Sequence, residues 1–235
     1  MNEQVERDVM EYDVLIIGGG PSGLSSAIKV KQLANAEGKD VSVCVLEKGS
    51  EIGAHILSGN VFEPTALNEL IPDWKEKEAP LNSPATKDIV KFMISENSSI
   101  NIPFPSFLIP TFNNHGNYVM SLANFTRWLA TQAESLGVEI FPGFTAAEVI
   151  FEENVVKGVL TGEMGISKDG EKKPSYQPSM ELRGKYTVFA EGCRGHLGKQ
   201  LIKKFNLDEN RDPQHYGIGF KEIWDISPED HKEGT

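Results

Sequence analysis

The sequence has little cysteine and few basic residues. Cys44 and Cys193 are its two cysteines, and they lie far apart without a Cys-x-x-Cys pair or clustered histidines. Neither a disulfide framework nor a zinc site is therefore predicted. Lys and Arg number 23 against 34 Asp and Glu, which gives a formal net charge of -11. Because such a chain repels a phosphate backbone, we expect no nucleic-acid partner.

Targeting signals and long apolar runs are also lacking. Residues 1–11 are acidic and polar, unlike a secretion signal or an arginine-rich transit peptide, and we expect a polar tail there. Residues 97–126 contain no Asp, Glu, Lys or Arg. Pro103, Pro105 and Pro110 would nevertheless break a membrane-spanning helix in that stretch. The composition, 39% hydrophobic, predicts an ordinary α/β protein.

A strand–loop–helix–strand pattern opens the chain. Two apolar runs, Tyr12–Ile17 and Val41–Leu46, predict buried parallel strands. Between them, apolar residues at helical spacing predict a helix that begins near Pro21 and ends near Gly38. Together these elements predict a βαβ unit.

The loop inside this unit has the spacing of a dinucleotide-binding motif. Gly18 permits a tight turn, Gly20 lets a pyrophosphate approach the backbone, and Gly23 allows the helix to lie close to the strand. Pro21 and Ser22 belong to the same loop, at a helix N-terminus that favours anions. These glycines predict a diphosphate site.

An acidic residue ends the second strand, as this type of site requires. Glu47, followed by Lys48, is placed to accept hydrogen bonds from the hydroxyls of an adenosine ribose. A carboxylate at this position repels a 2′-phosphate, so FAD or NAD is predicted rather than NADP. The open alternative is a glycine turn followed by an unrelated surface Glu.

The rest of the chain predicts the remainder of a Rossmann-like sheet. Loops, short strands and one short helix are expected at about 52–120, followed by a helix from Asn124 that Gly137 ends. Strands are predicted at 138–141, 147–152, 155–161, 180–189 and 216–223, with a helix at 196–205. Those at 147–152, 155–161 and 180–189 predict a three-stranded antiparallel meander.

A second glycine loop favours FAD over NAD. The strand at 180–189 ends in Ala-Glu-Gly-Cys-Arg-Gly and then opens a helix. In the glutathione-reductase-like class of flavoproteins, a similar loop lies beside the flavin chain, and this loop resembles it. That class often has Asp where this sequence has Glu191, so Gly192 and Gly195 are the stronger candidates. A plain strand-to-helix turn is the alternative.

Longer segments resemble one family, the electron transfer flavoprotein–ubiquinone oxidoreductases. They are Glu47–Lys48, Ile52–Gly59, Leu67–Leu81, His115–Tyr118, Leu136–Gly143, Phe189–Leu201 and Tyr216–Gly219. The resemblance runs from about Glu11 to Trp224. It implies an FAD/NAD(P)-binding Rossmann-like domain at 12–205, incomplete at its C-terminus, and the truncated start of a quinone- or substrate-side domain at 206–235.

The resemblance also implies further contacts. His55, Ser58 and Gly59 would approach the flavin, although an ordinary hydrogen-bonded histidine is an equal alternative for His55. The backbone at Val149 would face the adenine. Residues around 52–73 would contact the membrane. The implied location is peripheral, on the cytoplasmic side of a bacterial inner membrane.

The chain departs from the family in length and in cysteines. Members are more than twice as long and carry a [4Fe–4S] cluster on four cysteines, which this chain lacks. We therefore expect a fragment of an oxidoreductase that accepts electrons from electron transfer flavoprotein and passes them to ubiquinone. An FAD-dependent monooxygenase or a geranylgeranyl reductase is the alternative. A truncated domain that binds nucleotide weakly or not at all is a third.

Overall fold

The computed structural model describes residues 7–57, 59–102 and 113–235. It divides into two compact units, each described here by itself. The first unit contains the chain up to Ile56 together with Thr126–Tyr216, and the second contains Leu57–Phe125 together with Gly217–Thr235. Ser58 and the three prolines of the charge-free stretch lie outside the described residues.

The helices and strands follow one another in this order. The first half has β1 (Val9–Ile17), α1 (Pro21–Ala36), β2 (Val43–Glu47), β3 (Asn60–Phe62), α2 (Thr65–Leu70), β4 (Ser83–Pro84), β5 (Val90–Ser95), β6 (Ser98–Ile102) and β7 (Tyr118–Met120). The second half has α3 (Leu122–Ser135), β8 (Glu139–Pro142), β9 (Ala146–Glu152), β10 (Val155–Thr161), β11 (Met164–Ile166), β12 (Lys172–Gln177), β13 (Glu181–Phe189) and α4 (His196–Phe205).

The first unit is built on a six-stranded sheet in the order β8-β2-β1-β13-β10-β9. Strand β1 pairs parallel with both β2 and β13, and β2 pairs parallel with β8. Strand β10 pairs antiparallel with β13 and with β9. The predicted βαβ unit and the three-stranded meander are therefore confirmed.

Two strand predictions for this unit differ from the structure in detail. Strand β1 begins at Val9, because Val9–Glu11 pair with Glu181–Arg183, so the end of the predicted tail belongs to the sheet. A two-stranded hairpin of β11 and β12, which was not predicted, also lies between β10 and β13 in the sequence. Strand β11 has only three residues and β12 (KKPSYQ) is largely polar, so neither has the longer apolar alternation that would have marked it.

The core lies on both faces of this sheet. Leu15, Ile17 and Leu46 join a buried cluster that includes Val159 and Leu182, while Leu197 of α4 closes it. The intervening residue Ile16 is fully buried, as are Leu24 and Ile28 of α1. Parallel strands buried on both faces explain why β1 and β2 are continuous apolar runs.

The two cysteines of this unit differ in burial. Cys44 is fully buried in β2, and burial raises the pKa of its thiol to about 12. Cys193 is exposed. Because thiolate is the reactive form, we expect one fast-reacting thiol in the native protein at pH 8 and two after denaturation. A thiol-specific dye measures this, and Cys193→Ser should abolish the fast phase. Two fast thiols in native wild-type protein would contradict the burial of Cys44.

The second unit has two small sheets and helix α2. Strand β7 pairs with β3 and β4, and β5 pairs with β6 in a separate hairpin. The carbonyl of Gly234 accepts a hydrogen bond from the backbone N–H of Thr86 at 2.7 Å, which fixes the last residues to this unit. The prediction that 206–235 starts a separate domain therefore differs from the division seen in the structure, where 217–235 belongs with 57–125.

The strand predicted at 216–223 is wrong. The alternation of Tyr216, Ile218 and Phe220 indicated a strand, but this segment has no regular secondary structure and Phe220 is 93% exposed. A strand requires a neighbour for its backbone N–H and C=O groups, and no described strand pairs with these residues. The apolar pattern is thus present without the partner that it needs.

Candidate functional site

A pocket of about 720 Å³ opens at the carboxyl ends of the parallel strands in the first unit. Its wall is formed by the loop after β1, the end of β2, the loop after β13, and residues 144–146. In doubly wound folds this edge of the sheet is where ligands bind. The chain therefore brings its two glycine loops to one pocket.

Glycine serves a different purpose at each of the three motif positions of the first loop. Gly18 has φ +113°, and a Cβ there would collide with the carbonyl of Ala190. A Cβ on Gly23 would collide with the carbonyl of Gly18, so Gly23 lies beneath the loop and does not line the pocket. A Cβ on Gly20 would meet nothing within 4 Å. Gly18 and Gly23 are needed for the fold, whereas Gly20 leaves open space in the pocket wall.

Helix α1 presents an open N-terminus to this space. Its N-cap residue is Gly20, which has no side chain to satisfy the first N–H groups, and Pro21 begins the helix. No acidic residue lies in the first turn. The N–H groups of a first turn have no partners within the helix, and the helix dipole adds partial positive charge. The site fits an anion.

Glu47 holds the loops on both sides of it. Its carboxylate accepts hydrogen bonds from the N–H of Gly19 at 2.9 Å and of Gly49 at 2.7 Å. Two carboxylate oxygens offer about four acceptor sites, so capacity for a ribose hydroxyl remains. His55 is exposed on the pocket wall, with Nδ1 4.0 Å from Glu47 Oε1. The carboxylate of Glu47 and the open space at Gly20 therefore border the same pocket.

The second loop is shaped by Glu191. Its Oε2 accepts a hydrogen bond from Gly198 N–H at 2.8 Å, and its Oε1 accepts one from Leu197 N–H at 3.3 Å. Nδ1 of His196 lies 3.3 Å from Oε1. Gly192 has φ +79°, in the left-handed region. The carboxylate is therefore engaged with the first turn of α4.

Most of the predicted site residues meet at this pocket. Those that line it are Gly18, Gly20, Pro21, Ser22, Glu47, Lys48, His55, Gly192 and Gly195. Arg194 and His196 also line it, although sequence reasoning did not select them. The Arg194 guanidinium stacks on the ring of Tyr216, with 4.9 Å from Cζ to the ring centroid. Their position within and just after the second loop is the signal that could have identified them.

Besides Gly23, two predicted residues, Val149 and Gly59, do not line this pocket. Val149 lies in β9 opposite Val159 and packs against the buried cluster, and residues 144–146 line the pocket in its place. Gly59 belongs to the second unit, where its carbonyl accepts a hydrogen bond from Lys221 Nζ. Ser58 is outside the described residues. Backbone contacts of this kind depend on the path of a loop, which residue patterns do not encode.

The described part of the chain contains no group of three or more His, Cys, Asp or Glu side chains that could hold a metal ion. Within residues 7–57, 59–102 and 113–235, no helix combines the length and apolarity that crossing a bilayer requires.

Comparison with known proteins first defines the class. Residues 16–71 match the family model of an NAD(P)-binding Rossmann-like domain. A geranylgeranyl bacteriochlorophyll reductase-like protein from Thermoplasma acidophilum superposes with a TM-score of 0.55 at 22% identity, over 81% of this chain and 42% of its own. The myxobacterial chondrochloren halogenase, described as a variant of FAD-dependent halogenases, gives 0.52 at 21% identity, over 82% and 39%. The predicted Rossmann-like fold is confirmed.

The sequence relatives are more similar to this chain than the solved structures are. The electron transfer flavoprotein–ubiquinone oxidoreductase of Pseudomonas aeruginosa is 60% identical over 98% of this chain and 42% of its own length. The human mitochondrial protein of the same name is 50% identical over 98% and 37%. The resemblance to electron transfer flavoprotein–ubiquinone oxidoreductases is confirmed, and the chain spans about two fifths of the length of these relatives.

Proposed function

We propose that this chain is the FAD-binding part of an oxidoreductase that accepts electrons from reduced electron transfer flavoprotein and passes them to ubiquinone. The observation that carries the proposal is the uncapped N-terminus of α1 beside the open space at Gly20, in the pocket that Glu47 borders. The names of the sequence relatives support the partner and the acceptor. The solved structures share only the fold and do not favour a monooxygenase or a prenyl reductase.

Different residues of the pocket would bind different parts of FAD. The N–H groups at the start of α1 would bind the diphosphate, and Glu47 would accept hydrogen bonds from the ribose. Lys48 and Arg194 would offset the two phosphate charges, since both line the pocket. Gly192 and Gly195 would line the ribityl chain. His55 would lie near the adenosine end rather than near the flavin, because it neighbours Glu47.

Bound FAD would supply the redox chemistry of the complete protein. The chain's own residues would bind it, orient it and set the charge around it. The pocket wall carries the carboxylates of Glu47 and Glu191 and the cations of Lys48 and Arg194. A [4Fe–4S] cluster is proposed only for the complete protein, because buried Cys44 and exposed Cys193 cannot supply four thiolates.

We further propose peripheral attachment to the cytoplasmic side of a bacterial inner membrane. The supporting feature is the hairpin of β5 and β6, where Phe92, Met93, Ile94 and Ile100 are each at least 53% exposed. Contiguous exposed apolar side chains mark interaction surfaces. In the stretch 52–73, Ile52, Leu67 and Ile71 are buried in their own units, whereas Leu57 and Val61 are 69% and 46% exposed.

FAD binding by the purified 235-residue chain tests the central proposal. We expect the chain to retain a visible flavin absorption band after incubation with FAD and gel filtration. ADP should displace the flavin because it shares the adenosine diphosphate half. Riboflavin, which lacks the diphosphate, should bind about a hundredfold more weakly. A colourless protein after reconstitution would support the third alternative, a truncated domain that does not hold the nucleotide.

A further inference from the structure

Two helix N-termini border the pocket, and they differ in whether a side chain binds the N–H groups of the first turn. Helix α1 begins at Gly20 and Pro21, with no side-chain cap and no acid in its first turn. Helix α4 begins at Gly195 and His196, also without a cap from its N-cap residue. By backbone alone, both would attract a phosphate group. The chain therefore contains two possible anion positions at one pocket.

The N-terminus of α4 is filled by a side chain from the preceding loop. Glu191 reaches the N–H groups of Leu197 and Gly198, at 3.3 and 2.8 Å. These bonds are charge-assisted and satisfy donors that a phosphate would otherwise use. The side chain of Glu191 is only 11% exposed, so its negative charge is fixed in place.

Gly195 makes this arrangement possible. A Cβ at position 195 would lie 2.5 Å from Glu191 Cβ and 2.6 Å from Glu191 Oε2. Glycine at 195 therefore lets the Glu191 side chain pass close to the backbone and reach the helix. At Gly198 a Cβ would lie 3.6 Å from Oε2, which is ordinary contact. The close fit is confined to the path of Glu191.

We propose that Glu191 is a positioning residue that closes the α4 N-terminus to anions, so that the diphosphate is held only at α1. This inference rests on the proposed FAD function for its purpose, although the closure itself concerns only residues of this chain. A carboxylate fixed over the first turn repels a second anion and occupies its donors. The diphosphate then has one position, which fixes where the rest of the cofactor extends.

The test uses inorganic pyrophosphate and the ¹⁵N-labelled 235-residue chain. In the wild type, titration should shift the amide signals of Ser22 and Gly23 and leave those of Leu197 and Gly198 nearly unchanged. In Glu191→Ala, Leu197 and Gly198 should also respond, with about tenfold greater sensitivity than in the wild type. Glu209→Gln, which removes an exposed carboxylate beyond the other end of α4, is the control for net charge and should behave as wild type.

A second variant keeps the test decisive if Glu191→Ala does not fold. Glu191→Gln retains an oxygen for the helix but loses the charge, and it should raise the sensitivity of the α4 amides about threefold. The proposal is overturned if neither folded variant shows α4 amides that are more sensitive to pyrophosphate than those of the wild type. It is also overturned if the α4 amides of the wild type respond as strongly as the α1 amides. Unresponsive α1 amides together with absent flavin binding would instead count against the proposed function, and the α4 result would still be readable.

Discussion

Gly20→Val should abolish FAD binding while leaving the fold intact. The valine side chain would occupy the open space beside the α1 N-terminus, where the diphosphate is proposed to lie. Gly20 has φ -80° and ψ 179°, an extended conformation that valine readily adopts. We expect FAD affinity to fall about a thousandfold or more, with a change of less than about 1 kcal/mol in the free energy of unfolding.

Flavin fluorescence titration and urea denaturation measure these two effects separately. Gly217→Val is a matched control, because a Cβ at Gly217 also meets nothing within 4 Å and the residue lies outside the pocket lining. It should bind FAD as wild type does. Wild-type affinity in a folded Gly20→Val variant would mean that the diphosphate does not lie at α1.

Gly23→Ala, unlike Gly20→Val, should severely destabilise the fold. Its methyl group would point at the carbonyl of Gly18 and lie 3.2 Å from Ile16 Cγ2. Neither neighbour can easily move, because Gly18 has φ +113° and lies so close to Ala190 that not even a Cβ would fit between them, and Ile16 is fully buried. We expect a loss of about 3 kcal/mol in the free energy of unfolding, typical of an overpacked core.

Urea denaturation monitored by far-ultraviolet circular dichroism would measure the loss. Gly198→Ala provides the control, since it also places alanine near the start of a helix but meets only Glu191 Oε2 at 3.6 Å. That variant should be more stable than the wild type by about 0.5–1 kcal/mol, because alanine favours the helix. Equal stability of Gly23→Ala and the wild type would show that α1 can shift away from the loop.

The sequence predicted best where a local rule and the tertiary structure agree. The runs that became β1 and β2 are apolar throughout because the sheet covers both of their faces. Helix α3 ends where expected, as Gly137 takes φ +84° and donates its N–H to the Glu134 carbonyl at 2.9 Å. Helix α4 spans 196–205 as predicted. The helix ends need only neighbours along the chain, and the two strands carry the apolar pattern that their burial requires.

Predictions failed where the outcome depends on distant residues. The alternation at 216–223 has the form of a strand, but pairing requires an edge that the described residues do not provide. The direction of the Glu191 side chain depends on how the loop approaches α4, which the glycine spacing does not encode. Arg194 gained its place through stacking on Tyr216, a contact between segments that no local pattern connects.

The contact between Gly18 and Ala190 has a consequence for the order of folding. Ala190 N–H donates to Ile17 at 2.8 Å, and β13 covers one entire edge of β1. During synthesis β1, α1 and β2 emerge long before β13, so the nascent βαβ unit would expose an unpaired apolar strand edge. The residues that give the glycine motif its recognisable spacing would therefore form a complete pocket only after the last strand of the meander has joined the sheet.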